Sequence, residues 1–278
     1  MNQRVLITGV TGFVGQQVLH HLAVQRVRMT VVVRIDKQEI LKNHPFVEAV
    51  ITTLDLFAES VNWWANILQG IDTVIHVAWY AEPGKYLHSI RNLDCLQGTI
   101  SMARGAAQAG VRRFVGIGTC AEYDLAYGIV SVETQLKPLT PYAGAKAATF
   151  LALSQWLPSQ GMEFAWCRLF YLYGESEDPR RLVSYLRTKL AVGEPVELTS
   201  GNQIRDFIDV SEAGRLIADI ALSTRQGPIN ICSGIPITVK QLAENVADEY
   251  GRRDLLKFGV RQDNLLDPPC VVGVRHTL

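Results

Sequence analysis

Short apolar, β-branched runs alternate along this chain with stretches in which apolar residues recur every three or four positions. Residues 5–8 predict a strand, followed by a glycine turn and a helix through about residue 24. Further strands are expected at 29–34, 49–53, 73–78, 113–117 and 163–169. Helical patterns lie between them: one opening at Glu59 with Trp63 and Leu68, one over 93–109 stopped by Gly110, and one over 142–157. Repeated strand–helix units predict a parallel sheet with helices on both faces. Right-handed crossovers make such a sheet doubly wound, with ligands at the carboxyl ends of its strands. After about Gly174 the rhythm loosens. A helix is expected at 180–192, a short strand at 196–199 and a polar turn over 201–206. Further elements at 211–222, 229–232 and 239–250 follow. The expected fold is α/β: a doubly wound parallel-sheet domain over 1–170, joined by segments of about 207–232, and a smaller mixed α/β lobe over 171–278.

Composition narrows the classes. The 278 residues carry 27 basic and 27 acidic side chains, so zero net charge offers no nucleic-acid or anionic-membrane surface. No apolar run approaches the roughly 18 residues of a spanning helix. The N-terminus enters its first strand directly, so no signal peptide is expected. Cys95, Cys120, Cys167, Cys232 and Cys270 show neither metal spacing nor a disulfide framework, and His20, His21, His44 and His88 form no metal pattern. A reducing cytoplasm is the expected compartment.

Two features carry chemistry. Thr8-Gly9-Val10-Thr11-Gly12-Phe13-Val14-Gly15 follows the first strand and opens the first helix. Glycines there let the backbone approach a pyrophosphate, and a helix N-terminus offers free N–H groups. Gly9, Thr11, Gly12, Phe13, Val14 and Gly15 are therefore expected to hold a dinucleotide. The second strand ends in Arg34, where an acidic residue would suit the 2′-hydroxyl of NAD. An arginine suits a 2′-phosphate, which favours NADP(H); Asp36 keeps NAD open, and Arg34 as a solvated strand-end charge is the alternative. Downstream, Thr140 and Pro141 open a helix carrying Tyr142 and Lys146, four apart on one face. A cation beside a phenol favours the phenolate and makes it a usable acid/base.

The glycine loop, Val74-Ile75-His76-Val77-Ala78, the Tyr142/Lys146 pair, Arg168 to Gly174 (Arg-Leu-Phe-Tyr-Leu-Tyr-Gly) and Arg205 to Val210 (Arg-Asp-Phe-Ile-Asp-Val) recur in an order that resembles one family. It is the extended branch of the short-chain dehydrogenase/reductases, the nucleotide-sugar epimerase/dehydratase/reductase group. The resemblance covers nearly the whole chain and implies a Rossmann domain with a substrate-binding lobe. It implies a catalytic hydroxyl at Thr119, four residues before Tyr123, hydrogen-bonding the substrate oxygen. Tyr142 would exchange that oxygen's proton, and Lys146 would bind the nicotinamide ribose and keep the phenol acidic. Asp55 and Leu56 match the adenine contact, and Ala78 a cofactor-touching strand end. Arg205 matches an arginine that grips the substrate's diphosphate, and Arg261 is a second diphosphate candidate. Tyr171 stands where many relatives have a substrate-contacting Asn, and Cys95 replaces another family Asn, with Asn92 one turn earlier. Lys189, Arg180 and Arg181 read as solvated helix charges. Residues 79–91 occupy the place of a substrate-side loop and could form part of a lid. Relatives pair as homodimers through the helices around 93–109 and 147–157. The chain ends at Leu278, before the last helix such relatives carry.

Departures from the family indicate the reaction. Its 4,6-dehydratases carry Asp-Glu directly after the catalytic Thr; here Cys120 and Ala121 follow Thr119. The resemblance then points to hydride transfer at C4 of a nucleoside-diphosphate sugar. A 4-ketoreductase of a 4-keto-6-deoxy sugar is the leading reading, a 4-epimerase the alternative, and a non-catalytic cofactor sensor a third.

Overall fold

The computed structural model describes residues 3–41, 44–264 and 267–275. Its first half runs β1 (Arg4–Thr8), α1 (Phe13–Val24), β2 (Arg28–Arg34), β3 (Val47–Thr53), α2 (Val61–Ile67), β4 (Thr73–His76), α3 (Arg91–Gln108) and β5 (Arg113–Thr119). Then come β6 (Ile129–Val130), α4 (Pro141–Ser159), β7 (Glu163–Leu169), β8 (Tyr171–Tyr173), α5 (Leu182–Ala191), β9 (Val196–Glu197), β10 (Ile204–Asp209) and α6 (Val210–Leu222). The remainder is β11 (Gly227–Ile231), β12 (Pro236–Thr238), α7 (Val239–Asp248), β13 (Leu256–Lys257) and β14 (Cys270–Gly273).

Seven parallel strands form the main sheet in the order β11-β7-β5-β4-β1-β2-β3. The chain winds one way from β1 to β3 and the other way from β4 to β11. The direction reverses between β1 and β4, which opens a crevice at their carboxyl ends. Alternate residues of each strand face opposite sides of the sheet. Val5 and Ile7 enter a core with Val18 and Leu22 of α1 and Leu216 and Ile220 of α6. Leu6 enters the opposite core with Trp64 of α2, Met102 of α3, and Leu153 and Leu157 of α4. Strands buried on both faces explain why these segments read as unbroken apolar runs.

The second sheet has the order β12-β10-β14-β6, with β8 also paired to β10. Beside it, α5 and α7 enclose a separate core of Val183, Leu186, Leu190, Leu242 and Val246. Here the sequence reading needs correction: 201–206, expected as a polar turn, leads into β10, a central strand. Its Arg205 and Asp206 are buried because distant segments satisfy them. The Asp206 carboxylate accepts from Ser233 N and Oγ (both 2.7 Å), Gly234 N (2.9 Å) and Gly273 N (3.1 Å). The Asp209 carboxylate accepts from Ser211 N and caps α6. No helix of the described residues is long and apolar enough to cross a membrane.

Close backbone packing holds α3 under the crevice. A Cβ at Gly98 would lie 2.5 Å from both Cα and O of Phe57. Gly98→Ala is therefore expected to lose about 1–3 kcal/mol in urea unfolding, despite alanine's better helix propensity. An unchanged midpoint would show that α3 and the 55–57 segment do not pack this closely.

Candidate active site

A cavity of about 830 Å³ opens at the reversal point. Its floor is the glycine loop. Gly9 takes φ +75°, and a Cβ there would come within 2.6 Å of Ala78 N. Only glycine allows this approach. Gly12 caps α1 without any side-chain bond, so first-turn N–H groups of α1 remain available where the loop lines the cavity. Such a cradle fits a pyrophosphate. Behind it, Thr8 Oγ accepts from Ala78 N (3.3 Å) and bonds His76 Nδ1 (2.9 Å). His76 Nε2 bonds Thr99 Oγ (2.9 Å), which itself donates to Cys95 O (2.7 Å). This network assigns the proton to Nε2. Burial, aided by the charge of Lys146, holds the His76 pKa down at about 3. His76 is thus a neutral brace between β1, β4 and α3.

Arg34, Asp55, Leu56 and Ala78 all line the same cavity. Arg34 is 63% exposed and lies 3.5 Å from Asp36. Asp55 accepts from Phe57 N (3.0 Å) and pairs with Arg91 (3.1 Å).

At the other end β5 runs on to Thr119, and α4 begins at Pro141. Thr140 Oγ accepts from Ala143 N (3.2 Å) and starts the helix. Tyr142 and Lys146 follow one turn apart and line the cavity with Thr119. Lys146 is 3% exposed; its Nζ donates to Ile117 O (2.6 Å) and lies 3.7 Å from the ring centre of Trp79. Burial lowers its pKa to about 7. Tyr142 meets Tyr86 edge-on, ring centres 4.8 Å apart at 89°. Burial above all, with Tyr86 and Glu122, pushes its phenol well above the ordinary range, opposed by contact with the Thr119 hydroxyl. An ammonium that keeps the phenol acidic was expected; the hydrogen bond of Lys146 goes instead to a backbone carbonyl, and its charge rests on an indole face.

Beneath Thr119 lies a charge pair. Glu122 Oε1 accepts from Thr119 N (2.8 Å), and Oε2 accepts from Arg168 Nε (2.8 Å). Trp166 Nε1 donates to both oxygens, at 3.0 and 3.1 Å. Glu122 and Arg168 are 0% and 1% exposed. The signal for this was present in the sequence: Thr119-x-x-Glu122 is capping-box spacing, and the box forms.

The cavity lining includes every residue expected at the cofactor and all of Thr119, Tyr142 and Lys146, but not Tyr171, Arg205 or Arg261. Arg205 is 3% exposed, bonded to Ile204 O (2.8 Å) and Asp267 (2.6 Å), with its guanidinium 5.3 Å from the Tyr171 ring centre. Arg261 donates to Tyr185 OH (3.0 Å). The lining instead adds Trp79, Tyr86 and Arg181, the last read from sequence as a solvated charge.

Two outcomes follow from burial. Glu122→Leu leaves Arg168 uncompensated and is expected to cost about 3–5 kcal/mol, much of it recovered in Glu122→Leu/Arg168→Met. A double variant no more stable than the single would contradict this. For Lys146, the folded pKa near 7 lies below the unfolded value of about 10.4. The buried charge therefore penalises folding fully below pH 7, and the penalty fades as pH rises through that window. In dialysed protein Lys146→Met should raise the urea midpoint more at pH 6 than at pH 9. An equal gain at both would refute the shift.

The chain is similar to the dTDP-6-deoxy-L-talose 4-dehydrogenase (NAD(+)) of Aggregatibacter actinomycetemcomitans, 23% identical over 274 residues, 98% of this chain and 99% of that protein. It is 26% identical over 270 residues to a dTDP-glucose 4,6-dehydratase of Streptomyces niveus, covering 89% of this chain and 78% of the other. Among solved structures, a UDP-N-acetylglucosamine 4-epimerase from Methanobrevibacter ruminantium M1 shares the fold, with TM-score 0.85 and 22% identity over 99% of this chain and 90% of that one. The sequence model described as "NAD dependent epimerase/dehydratase family" matches residues 5–232. The matched span runs from β1 through the residue after β11, and the chain is an enzyme of the NAD dependent epimerase/dehydratase family.

Proposed function

We propose that this enzyme reduces the C4 ketone of a 4-keto-6-deoxy nucleoside-diphosphate sugar, using NADP(H). The observation that carries the reading is the pair of residues after Thr119. Burial pushes the Cys120 thiol up to about 12, so it stays protonated, and Ala121 has no acid–base group. Elimination of water needs an acid and a base there; ketone reduction needs neither. The similarity to a 4-dehydrogenase over nearly its whole length supports the same chemistry, because a 4-dehydrogenase reaction read backwards is a 4-ketone reduction.

The bound dinucleotide would supply hydride to the carbonyl carbon. The glycine loop and the first turn of α1 would hold its pyrophosphate, Asp55 and Leu56 its adenine end, and Lys146 the ribose near the reacting carbon. Arg34 lines the cavity and Asp36 does not, which supports a 2′-phosphate there. Thr119 and Tyr142 would hydrogen-bond the ketone oxygen. Tyr142 is in its protonated form at neutral pH, the form that delivers a proton to the alkoxide as the carbonyl becomes an alcohol. The phenolate left behind recovers a proton from solvent. Arg181 lines the cavity, and its side chain has no hydrogen-bond or ion-pair partner among the described residues. With Arg205 committed to Asp267, Arg181 is the cation free to take the substrate's diphosphate. Exposed Leu93 on α3 and Leu151 on α4 support pairing with a second copy, and the five free thiols suit a reducing compartment.

The test is absorbance of reduced nicotinamide with a 4-keto-6-deoxy nucleotide sugar. NADPH should be consumed stoichiometrically and used better than NADH. Tyr142→Phe should lower kcat at least about 100-fold while leaving cofactor affinity nearly intact. Tightly bound NAD and sugar interconversion without net absorbance change would make the enzyme a 4-epimerase instead.

A further inference from the structure

Asn92 sits in the first turn of α3, fully buried, and its amide reaches three partners. Its Oδ1 accepts from Trp79 Nε1 at 2.9 Å. Its Nδ2 donates to Tyr86 O at 2.6 Å and to Ser89 O at 2.9 Å. Both donors are used, and the segment from 79 to 89 is held at its two ends by one side chain.

Besides Asn92, the backbone of this segment is tied to α3 through Tyr80 N, which donates to Cys95 Sγ at 3.4 Å. Ala81, Gly84, Lys85, Leu87 and His88 are exposed, and its other polar contacts are mostly internal, such as Lys85 to Glu82 (2.7 Å) and Tyr80 to Glu82 (3.0 Å). Yet two of its aromatic side chains touch the two titrating groups of the site. The Trp79 ring lies 3.7 Å from Lys146 Nζ, and the Tyr86 ring stands edge-on to Tyr142 at 4.8 Å. A cation over an indole face is held by the ring quadrupole, so moving the ring moves the ammonium's preferred place.

We infer that Asn92 is a positioning residue: through Trp79 and Tyr86 it sets where Lys146 and Tyr142 stand relative to one another. This rests on the proposed roles of that pair. The alternative, a merely structural amide, would affect stability without altering the pair's behaviour.

The experiment compares Asn92→Leu, Trp79→Phe and the double variant, each checked for folding by circular dichroism. Trp79→Phe keeps a ring near Lys146 but cannot donate to Asn92. We expect each single variant to lower kcat roughly 10–100-fold with KM for the sugar nucleotide changed by less than about threefold. Because both act through one link, the double variant should be no worse than the weaker single. In parallel, lysine 13Cε NMR, with the Lys146 signal assigned by its loss in Lys146→Met, should show the titration midpoint of Lys146 moved in Asn92→Leu. Unchanged kcat in folded Asn92→Leu, losses that multiply in the double variant, or an unmoved midpoint would each overturn the inference. If the wild-type enzyme turns over no nucleotide sugar, the proposed function fails and the NMR titration alone decides. Should Asn92→Leu not fold, Asn92→Ser, too short to span both partners, is read by the same criteria.

Discussion

A carboxylate and a guanidinium shut away from water tie this molecule together. Glu122 leaves the end of β5, Arg168 belongs to β7, and their contact at 2.8 Å bridges adjacent strands of the main sheet. The link continues outward. Arg168 Nη1 donates to Tyr123 OH (3.0 Å), which donates to Asn230 Oδ1 (2.7 Å) in β11. Asn230 Nδ2 then donates to Val130 O (3.1 Å) in β6, a strand of the second sheet. An ion pair at this depth is tolerable only when nearly every remaining donor and acceptor is satisfied. That demand fixes where the second sheet meets the first. It also fixes Thr119, whose N–H is one of the bonds that Glu122 needs.

The same exclusion of water determines the proton state of the site. Burial is the leading influence on both Tyr142 and Lys146, and it drives each toward its neutral form. A phenol that holds its proton can give it to an alkoxide, and an amine near neutrality can change charge without large cost. The first is ordinary for tyrosine and is reinforced by burial; the second is not ordinary for lysine. The burial behind both comes from placing α4 so that its first turn closes over the end of β5, with Trp79 and Tyr86 covering what the helix leaves open. The thiol of Cys120 obeys the same rule: burial raises its pKa, and it keeps its proton.

Much of the main sheet was legible because it is built from local signals. Runs buried on both faces read as β-branched strands, and Thr140 with Pro141 marks a helix start as plainly in sequence as in space. The glycine loop was legible for the same reason: its spacing is a backbone requirement. What escaped was long-range. The strand β10 carries Arg205 and Asp206, which look like a turn until Asp267, Ser233 and Gly273 arrive from segments up to 67 positions away. The short strands β6, β8, β12 and β14 have two to four residues each, too few for any period to show.

Site residues divide along the same line. Thr119, Tyr142 and Lys146 each follow a strand end or helix start, so a motif can place them. The arginines cannot be sorted this way, since a guanidinium's role depends on which acid is near. Arg180 is taken by Asp178, Arg91 by Asp55 and Arg205 by Asp267, all at 3.1 Å or less. Arg181, next in sequence to Arg180, lines the cavity, and its side chain has no such partner among the described residues. An anionic ligand entering this cavity would have to displace a carboxylate to reach Arg91, whereas Arg181 presents its donors with no protein bond to break. Which guanidinium is open to an anion is therefore set by the pairing pattern of acids around the cavity, a property of the folded chain and of no single residue.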